Sequence, residues 1–127
     1  MKKPNFSKSI PNIEEVVEEW KDSLTKNDWD LISVHQTLSE PFIEKWKYEV
    51  DWFYISAHQE LSEPFIEKWK NKVNWINILN NEKINWNEFS EEFFNKYYKH
   101  FDLEEMNKKR PFSKYFCLKH NLDWRWN

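Results

Sequence analysis

The ten residues LSEPFIEKWK occur twice in this chain, at Leu38–Lys47 and again at Leu61–Lys70. The repeated segment extends beyond these ten residues. SVHQTLSEPFIEKWKYEVDW at 33–52 and SAHQELSEPFIEKWKNKVNW at 56–75 are identical at fifteen of twenty positions, with a shift of 23 residues. A tandem repeat of this period is typical of proteins in which similar units stack and share a continuous core.

The repeated letters predict one short helix at a defined place. Ser62 is a good N-cap, Glu63 follows at a position where the helix dipole favours an acid, and Pro64 is tolerated in the first turn. Leu61 and Ile66 have the spacing of a hydrophobic staple across that N-terminus. The pattern therefore predicts a helix that begins directly after Ser62, and the same helix one unit earlier.

A second helix is predicted in each unit. Asp51 and Asn74 are candidate N-caps, and Val73 and Ile78 repeat the staple spacing. Two helices of roughly 8–10 residues per unit are too short to be stable alone and must pack against neighbouring units. We expect an all-α fold of short two-helix repeats, stacked as a small α-solenoid or compact helical bundle with atypical terminal units.

The whole chain divides into five units of one domain. Phe89–Leu103 repeats the pattern with Tyr97 in place of Trp69, after an insertion around 80–87, and VVEEW at 16–20 resembles FIEKW. The predicted units are a degenerate first unit 12–28, regular units 29–51 and 52–74, an expanded unit 75–103 and a basic C-terminal unit 104–127.

The stretches WDLISVHQTLSEPFI and WFYISAHQELSEPFI approximate the pattern W-x-x-I-S-x-x-Q-x-L-S-E-x-F-I. This pattern resembles a short tandem repeat of uncharacterised proteins of large DNA viruses, phages and their hosts. The chain departs from it at Pro41 and Pro64, where many copies have an acid. The resemblance implies a helical scaffold and a viral or phage setting, and it carries no catalytic residue.

Composition narrows the classes of function. The chain has no glycine, which argues against glycine-rich phosphate loops and dinucleotide-binding turns. Its single cysteine, Cys117, cannot form an internal disulfide, which fits a reducing compartment. No apolar stretch of 18 residues is present, so we expect a soluble cytoplasmic protein without a cofactor or a membrane partner.

Charge is distributed unevenly along the chain. Residues 1–95 carry 11 basic and 18 acidic residues, a net charge of −7, whereas residues 96–127 carry 8 and 4, a net charge of +4. The candidate binding cations of this last part are Lys108, Lys109, Arg110, Lys114, Lys119 and Arg125. They could hold an RNA or DNA backbone or an acidic protein face. The alternative, a solvated loop and the polar side of a terminal helix, is favoured.

The nine tryptophans fall into two groups. Those that recur in register are assigned to the core, together with Trp20: Trp29, Trp46, Trp52, Trp69 and Trp75. Trp86, Trp124 and Trp126 break the period and are the candidates for exposed contacts. In the regular units, Glu44 and Glu67 are predicted to be free to face a partner as an acidic surface.

Histidines provide little support for catalysis or metal binding. His35 and His58 occupy equivalent positions about one helix-packing distance apart, which is too far for a shared zinc ion. They are expected to end the first helices, where the Ser-x-His-Gln residues bond the last carbonyls. Cys117 and His120 form a single C-x-x-H pair, and Cys117 is expected to be buried. A small metal-free nuclease using His100 or His120 is the least favoured reading.

These observations favour a non-enzymatic protein-binding module that binds no metal. The sharper hypothesis is a small phage or viral inhibitor of a host factor such as a nucleic-acid-handling defence complex, in the manner of an anti-CRISPR protein. RNA or a ribonucleoprotein is the alternative partner, bound directly through the basic, aromatic C-terminal third.

Overall fold

A computed structural model describes residues 2–125, and within that range the regular secondary structure is helical throughout. The α-helices are α1 Ile13–Trp20, α2 Lys26–His35, α3 Glu40–Lys45, α4 Trp52–His58, α5 Glu63–Lys68, α6 Trp75–Leu79, α7 Glu91–Lys96, α8 Leu103–Lys109 and α9 Lys114–Lys119. Short 3₁₀ turns lie at Lys21–Ser23, Trp86–Glu88 and Tyr98–His100. The predicted all-α fold class is confirmed.

Helix N-termini are set by the side chains that the sequence predicted. In α3, α5, α7 and α9 the N-cap serine accepts a hydrogen bond from the backbone N–H three residues later, from Phe42, Phe65, Phe93 and Phe116. Asp51 and Asn74 cap α4 and α6 in the same way. Each cap satisfies a backbone donor that a helix of five to seven residues could otherwise leave to solvent.

The first helices of successive units pack on one another, α2 against α4 and α4 against α6. Ile32, Ile55 and Ile78 occupy the same position in these three helices and are fully buried. On the second helices, Ile43 and Ile66 are buried to the same extent. Stacking buries the side chains that one short helix could not cover alone, which is the driving force expected for a repeat array.

An aromatic pair joins the two helices inside each unit. The ring centroids of Trp29 and Trp46 lie 5.4 Å apart, those of Trp52 and Trp69 lie 5.6 Å apart, and Trp75 lies 5.2 Å from Tyr97. Tyr97 thus replaces a tryptophan in the expanded unit, as the alignment predicted. Such offset and tilted pairs add packing energy beyond their buried area.

Some boundaries differ from the predictions. The second helices have six residues rather than 8–10, because the chain turns after Lys68, with the N–H groups of Lys72 and Val73 bonded to the carbonyl of Trp69. Helix α2 begins at Lys26, before the predicted unit boundary at residue 29. Of the tryptophans assigned to the core, Trp29 is buried and the others are only partly buried: Trp20, Trp46, Trp52, Trp69 and Trp75.

Candidate interaction surface

Buried glutamines connect each unit to the one before it. The amide nitrogen of Gln59 donates to the carbonyl oxygens of Ser33 and Gln36, at 2.9 and 2.7 Å, and its Oε1 accepts from the N–H of Leu38 at 3.0 Å. Gln59 is 1% exposed. The carbonyls at the C-terminus of α2 are therefore satisfied by a side chain of the next unit.

The same arrangement recurs at neighbouring junctions. Gln36 donates to the carbonyls of Phe6 and Lys8 and accepts from the N–H of Ile10, so the N-terminal segment takes the place of a preceding unit. Asn81 donates to Ser56 and Gln59. The interpretation that Ser-x-His-Gln bonds the carbonyls of its own helix holds for Ser33 and Ser56, which donate to Trp29 and Trp52, and was wrong for the glutamine side chains, whose carbonyl partners belong to the preceding unit. The recurrence of glutamine every 23 residues was the available signal.

A second series of contacts runs along the N-termini of the second helices. The carboxylate of Glu40 accepts from the N–H and Oγ–H of Ser62, Glu63 accepts from Ser90, and Glu91 accepts from Ser113. Glu14 accepts from the hydroxyl of Ser39. Each glutamate at the start of one second helix thus bonds the N-cap serine of the next second helix.

A third series consists of ion pairs one turn further along the same helices. Glu18 pairs with Lys45, Glu44 with Lys68, and Glu67 with Lys96. The prediction that Glu44 and Glu67 are free to face a partner was therefore wrong. These carboxylates lie at the surface, but their lysine partners hold them between units because the repeat brings opposite charges into register.

The glutamate–serine series ends at helix α9, and the series of ion pairs ends one junction earlier, at Glu67–Lys96. Lys114 stands where Glu14, Glu40, Glu63 and Glu91 stand, and Leu118 stands where the paired glutamates stand. Tyr115 is 76% exposed and Leu118 is 58% exposed. Trp124, 36% exposed, lies beside this helix with the Nζ of Lys114 at 4.2 Å from its ring centroid. We call Lys114, Tyr115, Leu118 and Trp124 the end face.

The predicted basic residues do not form one cluster of free cations. Lys108 pairs with Glu105, and Arg125 pairs with Asp123. Lys109 donates to the carbonyl of Leu79. Lys119 lies on the exposed side of α9, in the position of Lys45, Lys68 and Lys96. Each of those three lysines pairs with a glutamate of the preceding second helix, and Asn95 stands in place of that glutamate for Lys119.

Arg110 is a structural residue rather than an exposed cation. Its side chain is 12% exposed, donates to the carbonyl of Phe89 at 3.0 Å, and lies over the rings of Phe94 and Phe112. Burial lowers the pKa of Arg110, and Glu91 opposes that shift. The expectation that Arg110 faces a partner was wrong, because it occupies the buried position that Gln59 has in the regular unit.

The non-periodic tryptophans also have different environments. Trp86 is 6% exposed and lies 4.8 Å from Phe89 and 5.8 Å from Phe94 between ring centroids, so its predicted exposure was wrong. The insertion folds this ring into the core of the expanded unit. Trp124 is partly exposed as predicted, and Trp126 lies outside the described residues.

The histidines of the C-terminal third pack on aromatic rings. His100 is stacked on Trp75 with centroids 4.3 Å apart, and His120 lies 4.3 Å from Phe116 with its Nε2 3.0 Å from Oδ1 of Asn95. Burial, with a smaller contribution from Lys119, lowers the pKa of His120. Cys117 is fully buried, as expected. Within residues 2–125, no group of three His, Cys, Asp or Glu side chains is arranged to hold a metal ion.

A shallow groove of about 770 Å³ lies along the loops that join the two helices of each unit. Its acidic lining residues are Glu40, Glu60, Glu63 and Glu88, with Lys83 as the basic one. Glu40 and Glu63 already bond serines of the next unit. The groove is therefore partly a consequence of the contacts between units.

None of the helices in the described part of the chain has the length and apolar character needed to cross a bilayer. Comparison of the chain with models of protein families, with curated proteins and with solved structures found no match.

Proposed function

We propose that this chain is a non-catalytic protein-binding module and that the end face is its contact surface. The observation that carries the proposal is the change of residue type on α9. Tyr115 stands where the regular units have Pro, and Leu118 stands where they have Glu. Both side chains are well exposed. A contiguous cluster of exposed aromatic and aliphatic side chains is typical of surfaces that bind another protein.

The regular units supply the scaffold for this surface. Their repeated polar side chains, represented by Gln59, Glu63 and Lys68, are bonded to neighbouring units. A scaffold fixed in this way presents the end face with little loss of conformational entropy on binding, which favours affinity. The acidic body and basic end together suit a partner that handles nucleic acid, such as a host defence complex.

Direct nucleic-acid binding is the second candidate, supported by Lys114 beside the ring of Trp124 and by the exposed Lys119 on the same helix. It is weaker because Lys108, Arg110 and Arg125 are engaged within the chain. Nucleic-acid binding is tested by measuring the fluorescence anisotropy of labelled single-stranded RNA and double-stranded DNA at a series of salt concentrations. Affinity that falls steeply with salt would support it, since phosphate contacts release counterions.

The protein-binding proposal is tested by affinity purification from cells of the natural source, followed by mass spectrometry. The bait is the full chain carrying no change, Tyr115→Ser/Leu118→Glu, or Tyr48→Ser. Tyr48 is 80% exposed and lies outside the end face, so its variant is the matched control. We expect a partner captured by the unchanged chain and by the control, and lost with the double variant. Equal capture by all three, or capture by none, would overturn the proposal.

A further inference from the structure

The contacts between successive second helices all have the same arrangement of charges. At each one the earlier second helix contributes acids, and the later one contributes a lysine. The groove between α1 and α3 shows the geometry, with Glu14, Glu15 and Glu18 on one side and Pro41, Phe42, Lys45 and Trp46 on the other. The ion pairs Glu44–Lys68 and Glu67–Lys96 repeat this direction at the next two junctions.

At the end face, one lysine and two apolar residues stand where an earlier second helix has acids. Lys114, Tyr115 and Leu118 stand at the positions of Glu14, Glu15 and Glu18. A regular unit placed there would bring its lysine against Leu118 and the cation Lys114. Such a junction has no acid for the lysine, so the end face does not match the side that regular units present.

The outer side of α1 also differs in charge from the corresponding side of the regular second helices. Glu15 and Glu19, both exposed, occupy the positions of Pro41 and Lys45, and Val16 and Trp20, both partly exposed, occupy those of Phe42 and Trp46. We call Glu15, Val16, Glu19 and Trp20 the head face; Glu15 also lines the groove between α1 and α3. The head face offers acids and apolar groups where a regular second helix offers a lysine.

The charges of the two outer units are opposite as a whole. Residues 12–28 contain six acidic and two basic side chains, and residues 104–127 contain three acidic and six basic ones. Opposite net charges on two surfaces of one molecule favour their encounter in two copies and are screened by salt. The end face and the head face therefore both lack the acid-to-lysine pairing of the internal junctions, and they belong to units of opposite net charge.

We propose that the end face of one copy binds the head face of a second copy, so that the chain associates head to tail. The contact repeats the side-by-side arrangement of second helices inside the array. In that register Tyr115 packs on Val16 and Trp20, Leu118 faces Glu19, and Lys114 lies near Glu15. This inference rests on the proposed function of the end face, because it names one partner of that surface.

The geometry also predicts how the association behaves. The contact is heterologous, so it adds copies in a row rather than closing as a two-fold dimer, unless the rotation forms a ring. One short helix on each side buries less surface than stable complexes do, so the dissociation constant should be on the order of 100 µM. Salt should weaken the association because the opposite charges are exposed.

The first test needs no variant. Sedimentation velocity of the unchanged chain is measured over a concentration series that extends to about ten times the expected dissociation constant, at low and at high salt. We expect the weight-average mass to rise with concentration and the rise to shrink at high salt. A chain that stays monomeric over the whole series would overturn the proposal.

Two variants with altered charges then identify the two faces that are in contact. In the head variant, Glu15→Lys/Glu19→Lys, the changed face meets Lys114 of the end face. In the tail variant, Lys114→Glu/Leu118→Glu, the changed face meets Glu15 and Glu19. Each variant alone should associate at least about tenfold more weakly than the unchanged chain, because like charges oppose each other across the contact.

An equimolar mixture of the two variants should recover the association, because each changed face then meets one of opposite charge. Recovery only in the mixture supports the head-to-tail arrangement. Undiminished association of the head variant alone would point to contact between two end faces and overturn it. A monomeric chain whose partner capture still depends on Leu118 would overturn this inference and leave the proposed function standing.

Discussion

The side chain of Gln59 donates a hydrogen bond of 2.7 Å to the backbone carbonyl of Gln36, its counterpart one unit earlier. Both glutamines are 1% exposed. The contact explains why the repeat keeps a polar residue at a position surrounded by apolar ones. Each amide joins two units by satisfying backbone groups that stacking removes from water.

Replacing Gln59 with methionine should lower the free energy of unfolding by about 3 kcal/mol or more. The volume is nearly kept, but two carbonyls and one N–H lose their partner in a buried site, at about 1–3 kcal/mol for each unsatisfied group. Urea unfolding followed by circular dichroism measures the change. Glu60→Met at the adjacent exposed position is the control and should stay within about 0.5 kcal/mol of the unchanged chain. Equal effects of the two substitutions would contradict the structural role of Gln59.

The contact between Glu63 and Ser90 predicts a measurable coupling energy. A double-mutant cycle of Glu63→Ala and Ser90→Ala should give about 0.5–1 kcal/mol, because it removes the charge-assisted bond from the Ser90 hydroxyl in partly exposed surroundings and leaves the backbone N–H donor of residue 90 in place. The cycle separates this contact from the N-cap bond that Ser90 also makes to Phe93. A reference cycle of Glu63→Ala with Ser113→Ala, two second helices further on, should be additive. Coupling of similar size in both cycles would show that the contact is not specific.

Asn95→Glu should restore the ion pair that the last junction lacks. The new carboxylate would face Lys119, as Glu67 faces Lys96, and stabilise the fold by up to about 1 kcal/mol at low salt. It should also raise the pKa of His120, which burial and Lys119 hold below its ordinary value. Urea unfolding and NMR titration of the His120 ring measure the two effects. Asn87→Glu on an exposed turn should change neither, and an unchanged pKa of His120 in Asn95→Glu would refute the predicted geometry.

Acid should weaken the ion pairs between units. Hydrogen bonding to Lys96 lowers the pKa of Glu67, and bonding to Lys45 and then Lys21 lowers that of Glu18, both from 4.5. A lowered folded pKa means that the stabilisation is complete above pH 4.5 and is lost as pH falls through the folded value. Thermal melts between neutral pH and about pH 3 should therefore show decreasing stability below pH 4.5.

The lysine partners provide the control for that pH series. Lys96→Met and Lys45→Met should partly flatten the decrease, because each removes the largest cause of a lowered glutamate pKa while Lys21 still bonds Glu18 and Tyr97 still bonds Glu67. Lys99→Met removes an exposed lysine outside the ion-pair series and should leave the slope unchanged. A decrease of the same steepness in all three variants would assign the acid sensitivity to other groups.

Local signals in the sequence determined the helices of this protein. Asp51, Ser62 and Asn74 are identified as N-caps from neighbouring residues alone, because capping and stapling act within one turn of helix. The 23-residue period likewise predicted which aromatic residues would pair inside a unit, including the replacement of Trp69 by Tyr97. The lengths of the second helices were overestimated, since apolar spacing continues through the turn to Val73.

Contacts between units were decided only by the tertiary structure. Glu44 and Gln59 look in sequence like a solvent-facing acid and a helix-ending amide, because their partners lie 21 to 26 residues away. Trp86 looks exposed because it breaks the period, and Arg110 because it belongs to a basic stretch, yet the insertion and the last unit fold them inward. The sequence by itself determined where each short helix begins and that the units repeat. Which polar groups hold units together, and which face of α9 stays uncovered, followed from stacking, because pairing across units depends on three-dimensional register.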